Sequence, residues 1–536
     1  MKSARRSDQL PIHTHGKPMN TTEFLAIASA IVPDRTAIVF EDRRITYTGL
    51  QDRVNRLANA LAELGVAAGD RVAVLQVNSH EHVEAYFAAA RLDAVYVPLN
   101  FRSRADELTH MIGDCRPRVL MVGGQYVDLI ADITGDLTSV EQYVALEGHV
   151  AGWHLYDEMI AGASDEERFP QDDGDDLTVI MFTAGTTGSP KGVMLTHDSF
   201  SSYILSNVAP ADPEVEERNI LTVPMYHIAG VQAVMAGVYG GRTLIIQRQF
   251  EPEGWMSLVE SERASRAMMV PTMLKMLMDH ANFHDHDLSS LEVITYGAAP
   301  MPLEVIRRAI DEFPGAHFVN AFGQTETAST ITALSPEDHV LEGTPRDVER
   351  KLQRLSSIGK PLEDVEVRVM DEDGAPVAQG EVGEIVARGE RLMKGYWHQD
   401  EATAETIRNG WLHTGDLGYF DEDGYIFLAG RARDFIKRGG EMISPEEVER
   451  VLHSHPCVEE AAIIGVPDVD WGERVRAIVV LKDGMEVDPD DVIEYCRQHL
   501  ASFKKPESVV FAAALPRNAM GKVLKQELRE EYGEGD

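Results

Sequence analysis

The sequence predicts an α/β large N-terminal domain with largely parallel sheets plus a small α+β C-terminal domain. Three observations carry this: the length, an alternation of strand and helix patterns through most of the chain, and a change of texture after Gly380. With 536 residues the chain exceeds one ordinary core and calls for at least two domains. Residues 51–65 place Val54, Leu57, Ala58, Leu61 and Leu64 at helical spacing and close on Gly65, a good C-terminal stop. A β-branched strand run follows at 71–77, a helical pattern at 81–92 and another strand at 118–122. Strands alternating with helices argue for a buried, largely parallel sheet. After Gly380 come short strands at 384–387 and 425–428, the second preceded by the turn Asp421-Glu422-Asp423-Gly424. Ser444-Pro445-Glu446-Glu447 reads as a capping box opening a helix through Leu452. Strands at 461–466 and 475–481 and a helix at 490–500 complete the small unit. The expected domains are therefore 1–433 and 434–536, and the charged stretch 342–354 is expected to be a solvated loop or helix.

Composition narrows the function. The 50 Lys and Arg against 88 Asp and Glu give a formal charge of −38, which disfavours a nucleic-acid or anionic-membrane partner. A ligand with a few phosphates remains allowed, because local cations reverse the field inside one cleft. Cys115, Cys457 and Cys496 are too few and too scattered for a disulfide framework or a zinc knuckle. The amino terminus lacks the apolar run of a signal peptide, and nowhere do about 18 consecutive apolar residues occur. A cytoplasmic protein with no transmembrane segment is expected.

The segment 183–192, Thr-Ala-Gly-Thr-Thr-Gly-Ser-Pro-Lys-Gly, directly follows a strand pattern. Glycines, hydroxyls and one lysine there suit a loop that wraps phosphate oxygens. It departs from a Walker loop, because Lys191 follows Pro190 and no Ser or Thr comes after it. Asn320-Ala-Phe-Gly-Gln-Thr-Glu326 offers a nucleotide platform with a hard oxygen ligand for Mg²⁺. Asp416, after the turn in 410–416, suits ribose hydroxyls. The segment 430–440 gathers Arg431, Arg433, Lys437 and Arg438 against Asp434 alone, and 516–525 carries Arg517, Lys522 and Lys525 with no acid between them. These cations stand where phosphates are expected.

In this order and at these separations the segments resemble the adenylate-forming superfamily of acyl-CoA synthetases, luciferase and peptide-synthetase adenylation domains. The likeness runs from Thr46-Tyr47 and 69–73 through 270–272 and 296–300 to Lys522. Two departures are mild: Phe322 stands where tyrosine is more usual, and Ala184 where serine or threonine often sits. The resemblance implies ATP, Mg²⁺ and CoA as cofactors and co-substrate, and a reaction in two halves. A carboxylate attacks the α-phosphate of ATP and releases pyrophosphate; the CoA thiol then displaces AMP from the acyl-adenylate.

It implies the residue roles as well. Lys522 bridges carboxylate and phosphate, Gly185, Thr186, Thr187, Gly188 and Lys191 hold the pyrophosphate, and Thr183 and Glu326 stand near the metal. Tyr296, Gly297, Ala298, Asn320, Phe322, Gly323 and Thr325 belong to the nucleotide wall, with Asp416 and Arg431 at the ribose. Asp434 matches a hinge about which the small domain turns. That turn withdraws Lys522 and brings Lys437, Arg438, Gly439 and Gly440 toward CoA. A hinge residue absorbs a dihedral change and need do no chemistry.

His227 matches a position beside the acyl carboxylate, where positioning is favoured over general-base work, since a thiol needs little help against a mixed anhydride. Val231 and Ala299, with Met235, give the acid an apolar or small lining. A medium- or long-chain fatty acid is the first expectation. The alternatives are an aryl or cyclic acid such as a cinnamate, benzoate or steroid acid and, from another class, a non-catalytic adenylate-binding protein. A homodimer is compatible with the sequence.

Overall fold

The computed structural model describes residues 19–171, 176–183, 190–431, 434–438, 441–468, 471–517 and 523–533. Arg71–Leu75, Val95–Pro98 and Val119–Val122 form neighbouring parallel strands, with Val72 opposite both Tyr96 and Val119. They are near-continuous runs of buried apolar residues, the pattern of central parallel strands covered on both faces. Leu177–Thr183 extends this eight-stranded sheet, and Lys191–Thr196 returns antiparallel with Lys191 opposite Thr183. Gly395–Tyr396 closes that edge.

A second, nine-stranded sheet has a parallel centre in which Arg266–Met269, Val293–Gly297 and His317–Gln324 are adjacent. One apolar cluster draws on both sheets, with Val72, Tyr96 and Val179 from the first and Ile38, Leu221 and Leu244 from the second. The helices His80–Ala90 and Ile228–Tyr239 contribute Val83, Phe87, Val231 and Met235 to that same core. A third sheet, antiparallel, is built on Glu366–Met370, Gly383–Arg388, Trp411–Phe420 and Ile426–Arg431. The C-terminal unit pairs Val458–Asp468 with Gly472–Leu481 and has its own apolar cluster around Ile463, Val475 and Val492. A large α/β region with a small α+β unit is thus the architecture.

Several expected boundaries shift for local reasons. The first long helix spans Tyr47–Glu63 rather than starting at 51, because the Thr46 hydroxyl accepts the Gly49 amide at 3.1 Å and caps it earlier. The periodic apolar stripe begins only after that cap. Ser444 does cap Pro445–His453, its hydroxyl accepting the Glu447 amide at 3.2 Å. The charged 342–354 stretch contains the helix Pro345–Arg354, capped by Thr344 and without a buried residue. Among the described residues no helix is long and apolar enough to cross a membrane.

Candidate active site

Ligands of open α/β sheets bind beyond the carboxyl ends of parallel strands, and the nucleotide-wall residues gather there. Val293–Gly297 ends against Ala321, and a Cβ on Gly297 would stand 2.1 Å from the Ala321 carbonyl oxygen. A Cβ on Gly323 would stand 1.8 Å from that of Ser329. Only glycine lets these backbones meet. Ala298 then takes a left-handed φ of 65° and is exposed, with Ala299 half-buried beside it. Phe322 is half-buried against the cluster around Ile331, Asn320 donates to the Ser357 carbonyl at 3.1 Å, and Thr325 is buried.

Tyr296, expected in the nucleotide wall, lies near the end of the Val293–Gly297 strand. It is fully buried, and its hydroxyl meets His339 Nε2 at 2.9 Å. That desolvation drives the phenol far above its ordinary pKa. Its contribution to the wall is where its backbone ends the strand.

Residues expected near the metal and the pyrophosphate are linked by a side chain that sequence reasoning did not single out. Tyr396 donates its hydroxyl to Glu326 Oε1 at 2.9 Å, and the Lys191 ammonium lies 5.1 Å from the centre of its ring. Thr183 faces Lys191 in the ladder. A second such residue is Arg391, fully buried, which pairs with Asp364 at 2.9 Å and donates at 3.3 Å to the carbonyls of Thr327 and Ala328. It holds the turn that carries Glu326. No charge pattern around 391 or 396 distinguishes them in sequence, because both act through partners 27 to 205 positions away, from Asp364 to Lys191. Among the described residues no group of three or more His, Cys, Asp or Glu forms a metal cage. One carboxylate and one hydroxyl fit a Mg²⁺ that completes its shell with substrate phosphates and water.

Asp416 lies opposite Arg431 on paired strands and is 7% exposed. Gln324 Nε2 donates to the Thr414 carbonyl at 3.4 Å, tying this strand to the nucleotide wall. Gly185, Thr186, Thr187, Gly188, Gly439, Gly440 and Lys522 lie outside the described residues, as does the Arg431 side chain.

His227 caps the Ile228–Tyr239 helix, its Nδ1 accepting the Ala229 amide at 3.4 Å, which leaves the proton on Nε2. Burial lowers its pKa to about 4, so the ring is neutral near pH 7. Val231 and Met235, on the same helix, line a small cavity with His82, Tyr86, Tyr96 and Met225. The next residue after Val231, Gln232, is 6% exposed, and neither its amide nitrogen nor its amide oxygen has a partner. Sequence reasoning passed over it; the only signal was a lone amide in an apolar helix.

In the small unit, Arg529 bonds Asp434 at 2.8 Å, and Lys437 is exposed while its backbone amide donates to Glu473 at 2.6 Å. Of the cations expected to await phosphates, four have described side chains, and three of these are engaged with acids. Arg438 pairs with Glu507 and donates to the Phe503 carbonyl at 2.9 Å, Arg517 meets Glu460 at 2.6 Å, and Lys525 meets Glu449 at 2.8 Å. Lys525 is nearly buried in that pair, a placement set by the packing of the final helix Lys525–Tyr532 rather than by local charge.

Residues 26–397 match the AMP-binding enzyme family and residues 447–522 its C-terminal domain. A feruloyl-CoA synthase of an Amycolatopsis species is 38% identical over 503 residues, which cover 94% of this chain and 96% of the relative. A long-chain-fatty-acid–CoA ligase of Mycobacterium tuberculosis is 36% identical over 494 residues, covering 92% of this chain and 94% of the relative. The crystal structure of the anthranilate CoA ligase AuaEII with anthranoyl-AMP superposes with a TM-score of 0.85 at 26% identity, covering 96% of this chain and 98% of that one.

Proposed function

We propose that this chain, which belongs to the AMP-binding enzyme family and is an AMP-forming acid–CoA ligase, activates a compact aryl carboxylic acid bearing a hydrogen-bonding ring substituent. The observation that carries the choice of acid is Gln232, a buried amide without partners one residue beyond Val231. An unsatisfied buried amide costs about 1–3 kcal/mol, and a ring hydroxyl or amine offers it both a donor and an acceptor. A straight alkyl chain leaves that cost standing.

The chemistry follows from charge. A carboxylate approaching a triphosphate needs cations where the two anions meet, and Lys522 is assigned that bridge. Thr183, Lys191, Glu326 and the 184–189 segment are assigned the pyrophosphate and Mg²⁺, and Asp416 and Arg431 the ribose. Neutral His227, with its donor at Nε2, orients the carboxylate rather than taking a proton. Residue 434 is taken as the joint between a nucleotide-holding unit and a small unit that turns over it.

CoA-dependent AMP formation measured across hydroxycinnamates, aminobenzoates and straight-chain acids from octanoate to palmitate tests the substrate. The aryl acids should give the higher kcat/KM, and Gln232→Leu should lower the preference for a ring-hydroxylated acid over its unsubstituted parent by about tenfold. A preference for the straight-chain acids that Gln232→Leu leaves unchanged would reinstate the fatty-acid reading, which a relative at 36% identity also supports.

A further inference from the structure

Asn78 follows the Arg71–Leu75 strand of the first sheet and is 2% exposed. Both polar atoms of its side chain are engaged, and every partner comes from the second sheet's side. Its Nδ2 donates to the carbonyls of Thr222, Val223 and Gln247 at 3.2, 3.1 and 3.3 Å, and its Oδ1 accepts the Met225 amide at 2.8 Å. Carbonyls on one side and an N–H on the other fix which way the amide points. The Asn78 backbone amide adds a bond to the Arg248 carbonyl at 3.1 Å. Thr222 and Val223 come directly after the strand Arg218–Leu221, and Gln247 and Arg248 directly after its parallel neighbour Thr243–Ile246. One buried amide thus ties the carboxyl ends of strands from two sheets, the place where ligands of such sheets bind.

The tied turn leads straight into His227. The Pro224 carbonyl accepts the His227 amide at 3.0 Å, and the His227 carbonyl accepts the amides of Gly230 and Val231 at 2.9 and 3.2 Å. A Cβ on Gly230 would stand 2.3 Å from the Pro224 carbonyl oxygen, so the first turn of helix Ile228–Tyr239 rests on the tied turn itself. Met225 packs in the apolar cluster shared by both sheets, whereas Tyr226 packs in another, its ring centre 5.2 Å from that of Phe101. A turn whose successive side chains enter different clusters does not slide without moving His227.

We propose that Asn78 is a positioning residue for the acid half of the site, acting through the 222–227 turn to set where the His227 ring stands. The inference rests on the reading of His227 as the group that orients the carboxylate. Asn78 itself touches no reacting atom. The segments it ties, 222–225 and 247–248, lie outside the stretches assigned to ATP, so loss of the tie is felt by the acid. A misplacement of about 1 Å is enough to slow a reaction by about 10²-fold.

CoA-dependent AMP formation is measured with a hydroxycinnamate, or with palmitate if that is the acid turned over, in the unaltered protein, Asn78→Ala, His227→Ala and the double variant. Asn78→Ala should lower kcat/KM for the acid by about ten- to hundredfold while the KM for ATP changes by less than about twofold. Added to His227→Ala, it should lower kcat/KM for the acid by no more than about a further twofold. Hydrogen exchange supplies a readout apart from turnover: in Asn78→Ala the 222–227 peptide should exchange about tenfold faster, with the 293–297 peptide unchanged. Gly230→Ala presses a methyl group onto the same turn and leaves Asn78 intact; it should give the same acid-selective loss, and it reads the proposal if Asn78→Ala does not fold. Equal losses for acid and ATP, independent losses in the double variant, or unchanged exchange at 222–227 overturns the proposal. Loss in His227→Ala without loss in Asn78→Ala overturns the proposal alone, whereas a fully active His227→Ala overturns the reading of His227 and the proposal with it.

Discussion

At Gly297 and Gly323 the segments expected to form the nucleotide wall are backbone meeting backbone, with carbonyls where two side chains would otherwise be and with Arg391 and Tyr396 fixing the turn from behind. The helix Ile228–Tyr239, which carries the residues proposed for the acid side, is built the other way: its Val231 borders a small cavity, and its Gln232 holds two unspent hydrogen-bonding atoms. The contrast teaches where variation is tolerated. At Gly297 and Gly323 the close backbone approach leaves no room for a Cβ. On the proposed reading, a change at Gln232 removes no hydrogen bond within the protein.

Perturbing the wall side should have the largest effects. Lys522→Ala should lower carboxylate-dependent pyrophosphate release by about 10²–10³-fold with an unchanged denaturation midpoint; release at the original rate would remove the assigned bridge. Gly323→Ala puts a methyl group into the Ser329 carbonyl and should cost about 1–3 kcal/mol of stability, read as a lower denaturant midpoint, together with weaker nucleotide binding. An unchanged midpoint would mean that the 323–329 turn yields easily and that the wall is not the rigid partner in the comparison.

The acid side should respond more gently and in a pH-dependent way. Burial lowers the His227 pKa to about 4 from the model-compound 6.5, so the unfolded chain takes up a proton that the folded chain resists. Stability should therefore fall as pH drops from about 6.5 toward about 4, and His227→Ala should flatten part of that slope. Because the ring is already neutral, kcat should show no inflection near 6.5 from this group. An inflection there that His227→Ala abolishes would make His227 a proton carrier instead of a positioning group.

Much of the wall was legible because it is local: Gly297, Gly323 and Glu326 sit in short segments whose residue types carry their own chemistry. Tyr296 was legible as part of a motif but not as a buried ring, since its partner His339 comes from a separate helix. The helix His80–Ala90 makes the same point. Its pattern gives a helix, yet all eleven residues are buried, His80, Glu81 and Glu84 included. Glu84 is kept there by Arg53 at 2.8 Å and by the Tyr156 hydroxyl, partners that no window along the chain contains.

Taken alone, the sequence determined the α/β class, the succession of segments, the glycines that admit close backbone approach and the acidic balance that disfavours a polyanion partner. Each of these follows from residue type and short spacing, through the hydrophobic period, φ freedom and net charge. The tertiary structure alone decided which cations are engaged with acids, which ring is buried, that Tyr396 links Lys191 to Glu326, that Gln232 lacks a partner and that Asn78 ties the two sheets. Those facts depend on distances between residues far apart in the chain, and such distances are set by how the sheets and helices pack.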